Sequence, residues 1–192
     1  PVTPADHWLL SKLQHTTDII SKNIELYRFS EAYNQLYHFV WDDFADWYVE
    51  ASKSAKNEAL LRYSLESILK LAHPFAPFIT ETIWQSLKWN KELLITSSWP
   101  AVIASDYKHA QEFEHIKEVI TESRRLVKAM SLTKPTLHHT SSVLEDNKEI
   151  IERMAHVGKL MRVSKSNGLA LTGTKYTAWL DIQPEEILKY RD

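Results

Sequence analysis

The chain has 192 residues, of which 44% are hydrophobic and 25% charged, and its formal net charge at pH 7 is −2. These values are typical of a globular chain with one or two domains. The chain has no cysteine, which excludes disulfides, thiolate metal sites and cysteine nucleophiles and fits a reducing compartment. The sequence carries no signal-peptide pattern and no apolar run long enough to span a bilayer, so we expect a cytoplasmic protein without membrane contact.

Glycine is scarce and confined to the last part of the chain, at Gly158, Gly168 and Gly173. Loops that cradle phosphates need glycine, because the backbone must approach the phosphate closely. Residues 1–157 therefore contain neither a Walker loop nor a dinucleotide fingerprint. We expect no nucleotide cofactor in this chain.

Apolar residues recur every three or four positions in the first half of the chain, which predicts four amphipathic helices. The first covers about residues 5–28, and Ser30 is expected to cap the second. The third covers about residues 57–72, and the fourth begins near Pro77. Short connections between such helices predict an antiparallel bundle. The face of the second helix that we expect in the core consists of Tyr33, Leu36, Tyr37, Val40, Trp41, Phe44 and Tyr48.

The connection between the third and fourth helices contains two prolines and two phenylalanines within residues 74–78. Proline cannot continue a helix, so the third helix should end near His73, whereas Pro77 suits the first turn of the fourth. Because the corner is apolar, we expect it to be buried between helices. The side chains predicted to be buried there are Phe75, Phe78 and Trp84.

The pattern changes after residue 90. Residues 93–96 are predicted to form a short strand, and a long helix is predicted over about 106–130. Beyond Lys134-Pro135 the segments become short and rich in strand formers. The elements predicted there are a strand at 137–144, a helix at 145–156, a strand at 159–163 and a hairpin formed by 169–171 and 176–182.

The predicted fold is therefore mainly α, with an antiparallel helical bundle at residues 1–134 and a small α/β subdomain at 135–192. Two groups of residues could be considered as metal sites, but a structural role is favoured for each. Asp42, Asp46 and Glu50 are expected on a solvated face or paired with Lys53 or Arg62. His138 and His139 are consecutive on a predicted strand, so they point to opposite faces and cannot chelate one ion. We predict neither a catalytic nor a metal-binding residue.

The second half of the chain has two stretches without acidic residues, 123–144 and 153–180. A polyanion needs a local positive field rather than a positive total, so these stretches are candidates for nucleic-acid contact, with two solvated faces as the open alternative. Most aromatic residues have the spacing of core positions. Tyr27, Arg28 and Phe29 are the exception, and there a stacking platform for a base and a buried corner both stay open.

Several strings follow one another in a characteristic order. Together they resemble the anticodon-binding domain of class I aminoacyl-tRNA synthetases, and within that class the valyl-tRNA synthetase family. The resemblance covers residues 5–100 closely and 113–135 less closely. The strings are Asp6-His7-Trp8-Leu9-Leu10, Tyr27-Arg28-Phe29-Ser30-Glu31-Ala32, Asp46-Trp47-Tyr48-Val49-Glu50, His73-Pro74-Phe75-Ala76-Pro77-Phe78-Ile79-Thr80-Glu81 and Trp99-Pro100.

The resemblance implies that the chain is part of a ligase that joins valine to its tRNA with ATP and Mg²⁺. The family's catalytic signatures, His-Ile-Gly-His and Lys-Met-Ser-Lys-Ser, are absent from this sequence, so this part would hold no cofactor and perform no catalysis. The first residue is proline rather than methionine, which also favours a piece of a longer protein. The implied partners are valine-specific tRNA and the catalytic and editing domains of the same polypeptide.

The role implied for this part is docking of the tRNA anticodon arm. Bases would meet the platform around Tyr27, Arg28 and Phe29, and basic side chains would contact phosphates. Two alternatives stay open: a stand-alone RNA-binding or protein-interaction module without ligase activity, and a helical scaffold without an RNA role. The candidate phosphate contacts are Arg124, Arg125, Lys128, Lys159, Arg162 and Lys165.

Overall fold

The computed structural model describes residues 1–89, 92–101, 103–165 and 167–182. The chain divides into two compact units, Pro1–Ala110 and Gln111–Asp192, and each is described by itself. The boundary between these units falls inside a long helix. The domain boundary predicted between residues 134 and 135 stays a prediction. None of the described helices combines the length and the hydropathy needed to cross a membrane.

The first unit is helical, as predicted. Its longest helix contacts the next two helical segments and a later helix across the bundle. The elements are α1 (Pro4–Glu25), α2 (Phe29–His38), a π-helix (Phe39–Val49), α3 (Glu50–Ser52), α4 (Glu58–Ala72), α5 (Pro77–Leu87) and a 3₁₀ turn (Leu94–Thr96).

A buried carboxylate, Asp6, joins three parts of this unit. Its Oδ1 accepts a hydrogen bond from the Tyr48 hydroxyl at 2.8 Å, and its Oδ2 accepts one from Asn57 Nδ2 at 2.8 Å. Asn57 in turn caps α4, since its Oδ1 accepts from the backbone N–H of Leu60 at 3.1 Å. Asp6 also forms a capping box with Thr3 at the start of α1, which satisfies N–H groups that a helix start leaves unpaired.

The charge on Asp6 is stabilised although its side chain is only 1% exposed. Burial raises the pKa of Asp6, but the hydrogen bonds from Val2, Asn57 and Tyr48 together outweigh it and hold the pKa below its ordinary value. Burial and the neighbouring carboxylate raise the pKa of the Tyr48 phenol, which therefore remains a donor. The three side chains form a satisfied polar network inside an apolar bundle.

The second predicted helix is correct in position but not in its buried face. Ser30 is not its N-cap, because α2 begins at Phe29 with Arg28 in the capping position. From Phe39 the backbone continues as a π-helix, which winds more widely than the α-helix on which the prediction was based. Leu36, Phe39 and Tyr48 are buried. The predicted face was wrong for Tyr33, Tyr37 and Trp41, which are exposed.

The proline-containing corner connects α4 and α5 as predicted. His73 Nδ1 and the buried Thr80 hydroxyl are hydrogen-bonded at 2.9 Å. Trp84 is buried as expected and donates from Nε1 to the carbonyl of Glu92 at 3.0 Å. The prediction was wrong for Phe78, which is 89% exposed. Thr80 and Trp84 direct one side of α5 to the core, and Phe78 lies about 200° around the helix from Thr80.

The strand predicted at 93–96 is a 3₁₀ turn instead. The backbone N–H of Leu94 donates to Glu81 Oε2 at 2.9 Å. The Leu94 side chain belongs to one apolar cluster with Leu69 and Trp84. A carboxylate therefore takes the hydrogen bond that a neighbouring strand would have made.

The second unit places short helices beside a four-stranded sheet of order β2-β1-β4-β3. Strands β1 and β2 are parallel and are linked through α7 and α8, whereas β4 is antiparallel to both β1 and β3. The predicted α/β character and the hairpin are confirmed. The elements are α6 (Tyr107–Ala129), β1 (Thr136–His139), α7 (Ser142–Asp146), α8 (Lys148–Met154), β2 (Lys159–Arg162), β3 (Leu169–Ala170) and β4 (Ala178–Leu180).

Helix α6 is joined to the rest of the second unit by polar contacts along its length. Glu118 Oε2 accepts from the backbone N–H of Lys175 at 2.9 Å, and Glu122 Oε1 accepts from the Thr172 hydroxyl at 3.4 Å. The two carboxylates lie four residues apart on one side of the helix. These contacts explain why this part of α6 falls in the second unit.

Burial alternates along β1 as the sequence predicts for consecutive histidines. His139 is fully buried and its Nε2 contacts Glu145 Oε2 at 3.0 Å, whereas His138 is half-buried on the opposite face. Burial lowers the pKa of His139 below its ordinary 6.5, and the hydrogen bond that His139 donates to Glu145 only partly opposes this effect. The folded state therefore favours a neutral His139.

We expect Tyr48→Phe to destabilise the first unit by about 2 kcal/mol, because it removes a hydrogen bond to a buried charged group. Urea unfolding followed by circular dichroism measures this free energy. Tyr107→Phe is the matched control, since Tyr107 is 75% exposed. Equal stability of the two variants would contradict the structural role of Asp6.

The free energy of unfolding of the second unit should fall as the pH drops below about 6.5. There the unfolded chain binds a proton that folded His139 resists, so the loss is at most about 1.4 kcal/mol per pH unit. Denaturant unfolding at pH 7.5 and pH 5.5 measures it. His139→Gln should lose this contribution and His138→Gln should keep it. A pH dependence unchanged in His139→Gln would show that the account of His139 is wrong.

Candidate nucleic-acid interface

The residues Tyr27, Arg28 and Phe29, here called the aromatic corner, connect α1 to α2. The backbone N–H of Arg28 donates to the carbonyl of Asn23 at 2.8 Å, and that of Tyr27 donates to Ile24 at 3.0 Å. These two bonds form a Schellman motif, which closes the end of α1. The motif requires a left-handed residue, and Tyr27 occupies that position with φ of 59°.

The left-handed conformation is unfavourable for tyrosine, and it costs about 1–2 kcal/mol relative to a right-handed residue. It directs the ring away from the bundle, so that Tyr27 is 83% exposed. Phe29 is 51% exposed, and the two ring centroids are 6.3 Å apart at 74°. Of the two interpretations left open by the sequence, a buried corner is thus excluded. Residues held in sparsely populated backbone conformations are found more often at binding and active sites than elsewhere.

The guanidinium of Arg28 lies between these two aromatic residues in the sequence and is exposed. Within the described part of the chain, no salt bridge engages Arg28. A guanidinium can stack on a base plane and can also contact phosphate. The corner therefore combines two exposed π-faces with an available cation on consecutive residues.

Two of the predicted phosphate contacts on α6 are already engaged within the protein. Arg124 is half-buried and its Nε donates to the carbonyl of Met154. Arg125 forms a bidentate pair with Glu122, at 2.7 Å for both hydrogen bonds. The pair lowers the pKa of Glu122 and raises that of Arg125. Arg124 thus holds α6 to α8, whereas Arg125 is charge-compensated.

The other basic candidates are exposed, and no salt bridge engages them within the described residues. Lys128 lies in the last turn of α6, and Lys165 follows strand β2. Lys159 and Arg162 both lie on β2, which is an edge strand. Because they are three residues apart on a strand, they project from opposite faces of the sheet. One nucleic-acid surface therefore cannot contact both from a single face.

The described residues contain no cluster of three or more His, Asp or Glu side chains that could hold a metal ion. Within the acidic stripe, Asp42 on the π-helix pairs with His38 at 2.8 Å, and Glu50 at the start of α3 pairs with Lys53. The pairing of Glu50 with Lys53 is one that the sequence predicts. Arg62 instead pairs with Glu66 at 3.0 Å.

The sequence did not reveal a second group of exposed aromatic residues, Tyr33, Tyr37 and Trp41, which we call the aromatic ridge. Their exposed fractions are 51%, 49% and 59%. Tyr37 and Trp41 stack with parallel rings whose centroids are 6.4 Å apart, and Tyr33 contacts the Phe75 ring edge-on at 5.9 Å. Their spacing of four was visible in the sequence, but it is equally typical of core positions.

The family model described as the anticodon-binding domain of tRNA ligase matches residues 6–159. The chain belongs to this family. The matched region contains the aromatic corner, the Asp6, Tyr48 and Asn57 side chains and all of α6. The resemblance based on the sequence strings is thereby confirmed.

Curated relatives are valine–tRNA ligases. The enzyme of Anoxybacillus flavithermus is 33% identical over 96% of this chain, and that of Geobacillus stearothermophilus is 34% identical over 83%. The enzyme of Enterococcus faecalis is 39% identical over 65% of the chain. The alignments cover 24%, 20% and 16% of these three relatives, so the chain spans about a quarter or less of their length.

We expect Tyr27→Gly to raise the free energy of unfolding by up to about 1 kcal/mol, because glycine adopts the left-handed position without strain. Urea unfolding measures the difference. Ser131→Gly is the matched control, since Ser131 has φ of 52° in the same hydrogen-bonded motif at the end of α6. If Ser131→Gly stabilises and Tyr27→Gly destabilises, the Tyr27 ring contributes to packing and is not held at a cost in stability.

Proposed function

We propose that this chain is the part of a valine–tRNA ligase that docks the anticodon arm of valine tRNA. The observation that carries the proposal is the aromatic corner inside a region of the anticodon-binding family. Two exposed rings and an available guanidinium are the groups that unstacked RNA bases require. The helical bundle supplies the rigid support.

Bases of the anticodon loop would stack on Tyr27 and Phe29. Each base–aromatic stack is worth about 1–3 kcal/mol and tolerates any base, because every base has a π-face. Arg28 would contact a base edge or a neighbouring phosphate. The rigid Schellman motif stabilises binding, because the Tyr27 backbone needs no reorganisation when RNA arrives.

Phosphate contacts would come from Lys128, Lys165 and one face of β2. These cations attract RNA and set its position without reading its sequence. Arg124 has a different role in the proposal, since it links α6 to α8. Replacing Arg124 would therefore disturb the fold as well as any RNA contact.

The complete protein would activate valine with ATP and Mg²⁺ and transfer it to tRNA in domains outside residues 1–192. No catalytic residue is assigned to this chain. Its partners would be valine-specific tRNA and the catalytic and editing domains of the same polypeptide. The location of such a ligase would be the cytoplasm.

The proposal predicts that Tyr27→Ala lowers affinity for transcribed valine tRNA about tenfold, because one stacking surface is lost. Arg28→Gln should lower affinity and reduce the slope of log affinity against log salt by about one. Filter binding with the complete ligase and with the 192-residue chain measures both effects. The loss in Tyr27→Ala should be similar for valine tRNA and for an anticodon-substituted transcript, because stacking tolerates any base.

Lys56→Gln is the control, because Lys56 is exposed and pairs with Glu58 on a loop away from the aromatic corner. It should leave both affinity and salt slope unchanged. Lys128→Gln with Lys165→Gln should weaken binding of both transcripts equally. Wild-type affinity in both Tyr27→Ala and Arg28→Gln would refute the assignment of the corner.

A further inference from the structure

The aromatic ridge, Tyr33, Tyr37 and Trp41, lies on α2 and the beginning of the π-helix, directly after the aromatic corner in the sequence. It consists of aromatic side chains alone, whereas the corner also contains a guanidinium. These three residues are spaced four apart along the helix, and each is about half exposed. Rows spaced by four are the ridges that pack into the groove of a second helix. The row extends back to Phe29 of the aromatic corner and forward to Ala45, which is exposed and small enough for close approach.

The charged side chains beside the ridge disfavour binding of a polyanion. The neighbouring row carries carboxylates at Asp42 and Asp46, and its one basic group, His38, contacts Asp42 at 2.8 Å. RNA would bring phosphates against these carboxylates. Aromatic residues are enriched at the centre of protein interfaces.

The exposed area of the ridge also limits the kind of partner that can bind it stably. Three aromatic side chains of about 150–250 Å² each, half exposed, offer roughly 300 Å². A stable dimer needs about 800 Å² from each subunit. A segment of the same polypeptide needs less, because the tether lowers the entropic cost of association. The relatives contain three quarters or more of their length outside the aligned region.

We propose that, in the complete ligase, an amphipathic helix from outside residues 1–192 packs its apolar face on Tyr33, Tyr37 and Trp41. The inference rests on the proposed membership in a longer ligase. The ridge would thus join this domain to the rest of the enzyme, whereas the aromatic corner stays open for tRNA. The aromatic corner and the aromatic ridge would then have separate partners, RNA for the corner and protein for the ridge.

Hydroxyl-radical footprinting tests this in the unmodified protein. Oxidation of Tyr37 and Trp41, read by peptide mass spectrometry, is compared between the 192-residue chain and the polypeptide of the complete reading frame without RNA. We expect oxidation to fall about fivefold or more in the complete protein, since interface cores exclude solvent. Tyr27 is the internal control and should remain oxidised until valine tRNA is added.

Two variants test whether direct packing on the ridge is what protects Tyr37 from oxidation. Trp41→Lys should restore oxidation of Tyr37 in the complete protein, because a charge cannot be buried in an apolar contact without a partner. Asn34→Lys adds the same charge on the neighbouring polar row and should leave Tyr37 protected. Both variants should keep the far-ultraviolet circular dichroism of the 192-residue chain.

Three results would overturn the inference. Equal oxidation of Tyr37 and Trp41 in the two proteins would show that no other part of the ligase covers the ridge. Protection only after addition of tRNA would make the ridge an RNA surface. Protection in the 192-residue chain together with a dimer in analytical ultracentrifugation would assign the ridge to a second copy. If the only expectation that fails is the protection of Tyr27 by tRNA, the proposed function is contradicted and the result for the ridge still stands.

Discussion

The buried carboxylate of Asp6 is the contact on which the order of the first unit depends. It receives hydrogen bonds from the end of the π-helix through Tyr48 and from the start of α4 through Asn57. An ionised group with 1% exposure is tolerated only when such donors surround it. The same donors keep it charged, so the network specifies one arrangement of three segments. An apolar contact of equal area would define their relative position less sharply.

This arrangement fixes the start of α1 and the end of the π-helix, and the aromatic corner lies at the opposite end of α1. The corner is then held by two backbone hydrogen bonds and by the left-handed Tyr27. The structure thus stabilises its core with one polar network and accepts local strain where side chains face solvent. That distribution is typical of domains whose binding residues lie on loops supported by a rigid scaffold.

Periodicity predicted the helical bundle, the two prolines predicted where α4 ends and α5 begins, and the short strand-forming segments predicted the small α/β unit. Periodicity failed where a local feature changed the geometry. The wider helical turn that begins at Phe39 changes the direction of the side chains that follow it, such as Trp41, whereas Tyr33 and Tyr37 lie in regular α-helix and their exposure has no such local cause. Glu81 takes the hydrogen bond that a strand at 93–96 would need. Phe78 was misassigned because an apolar residue near two prolines does not show which side of α5 it occupies. The candidate site was predictable from Tyr27, Arg28 and Phe29 as a string, but their exposure was not. Nor could spacing show that Arg124 is engaged with the Met154 carbonyl.

In the proposed function, the residues that contact RNA are separate from those that hold the domain together, and the aromatic corner is the proposed contact surface. The most direct measurement is ultraviolet crosslinking of valine tRNA to the complete ligase, with mass spectrometry of the crosslinked peptides and mapping of the crosslinked nucleotides. Zero-length crosslinks form between stacked bases and aromatic side chains, so the partners are identified on both molecules. We expect crosslinks from anticodon-loop bases to Tyr27 or Phe29. Anticodon-loop crosslinks that map only to other parts of the protein would contradict this expectation.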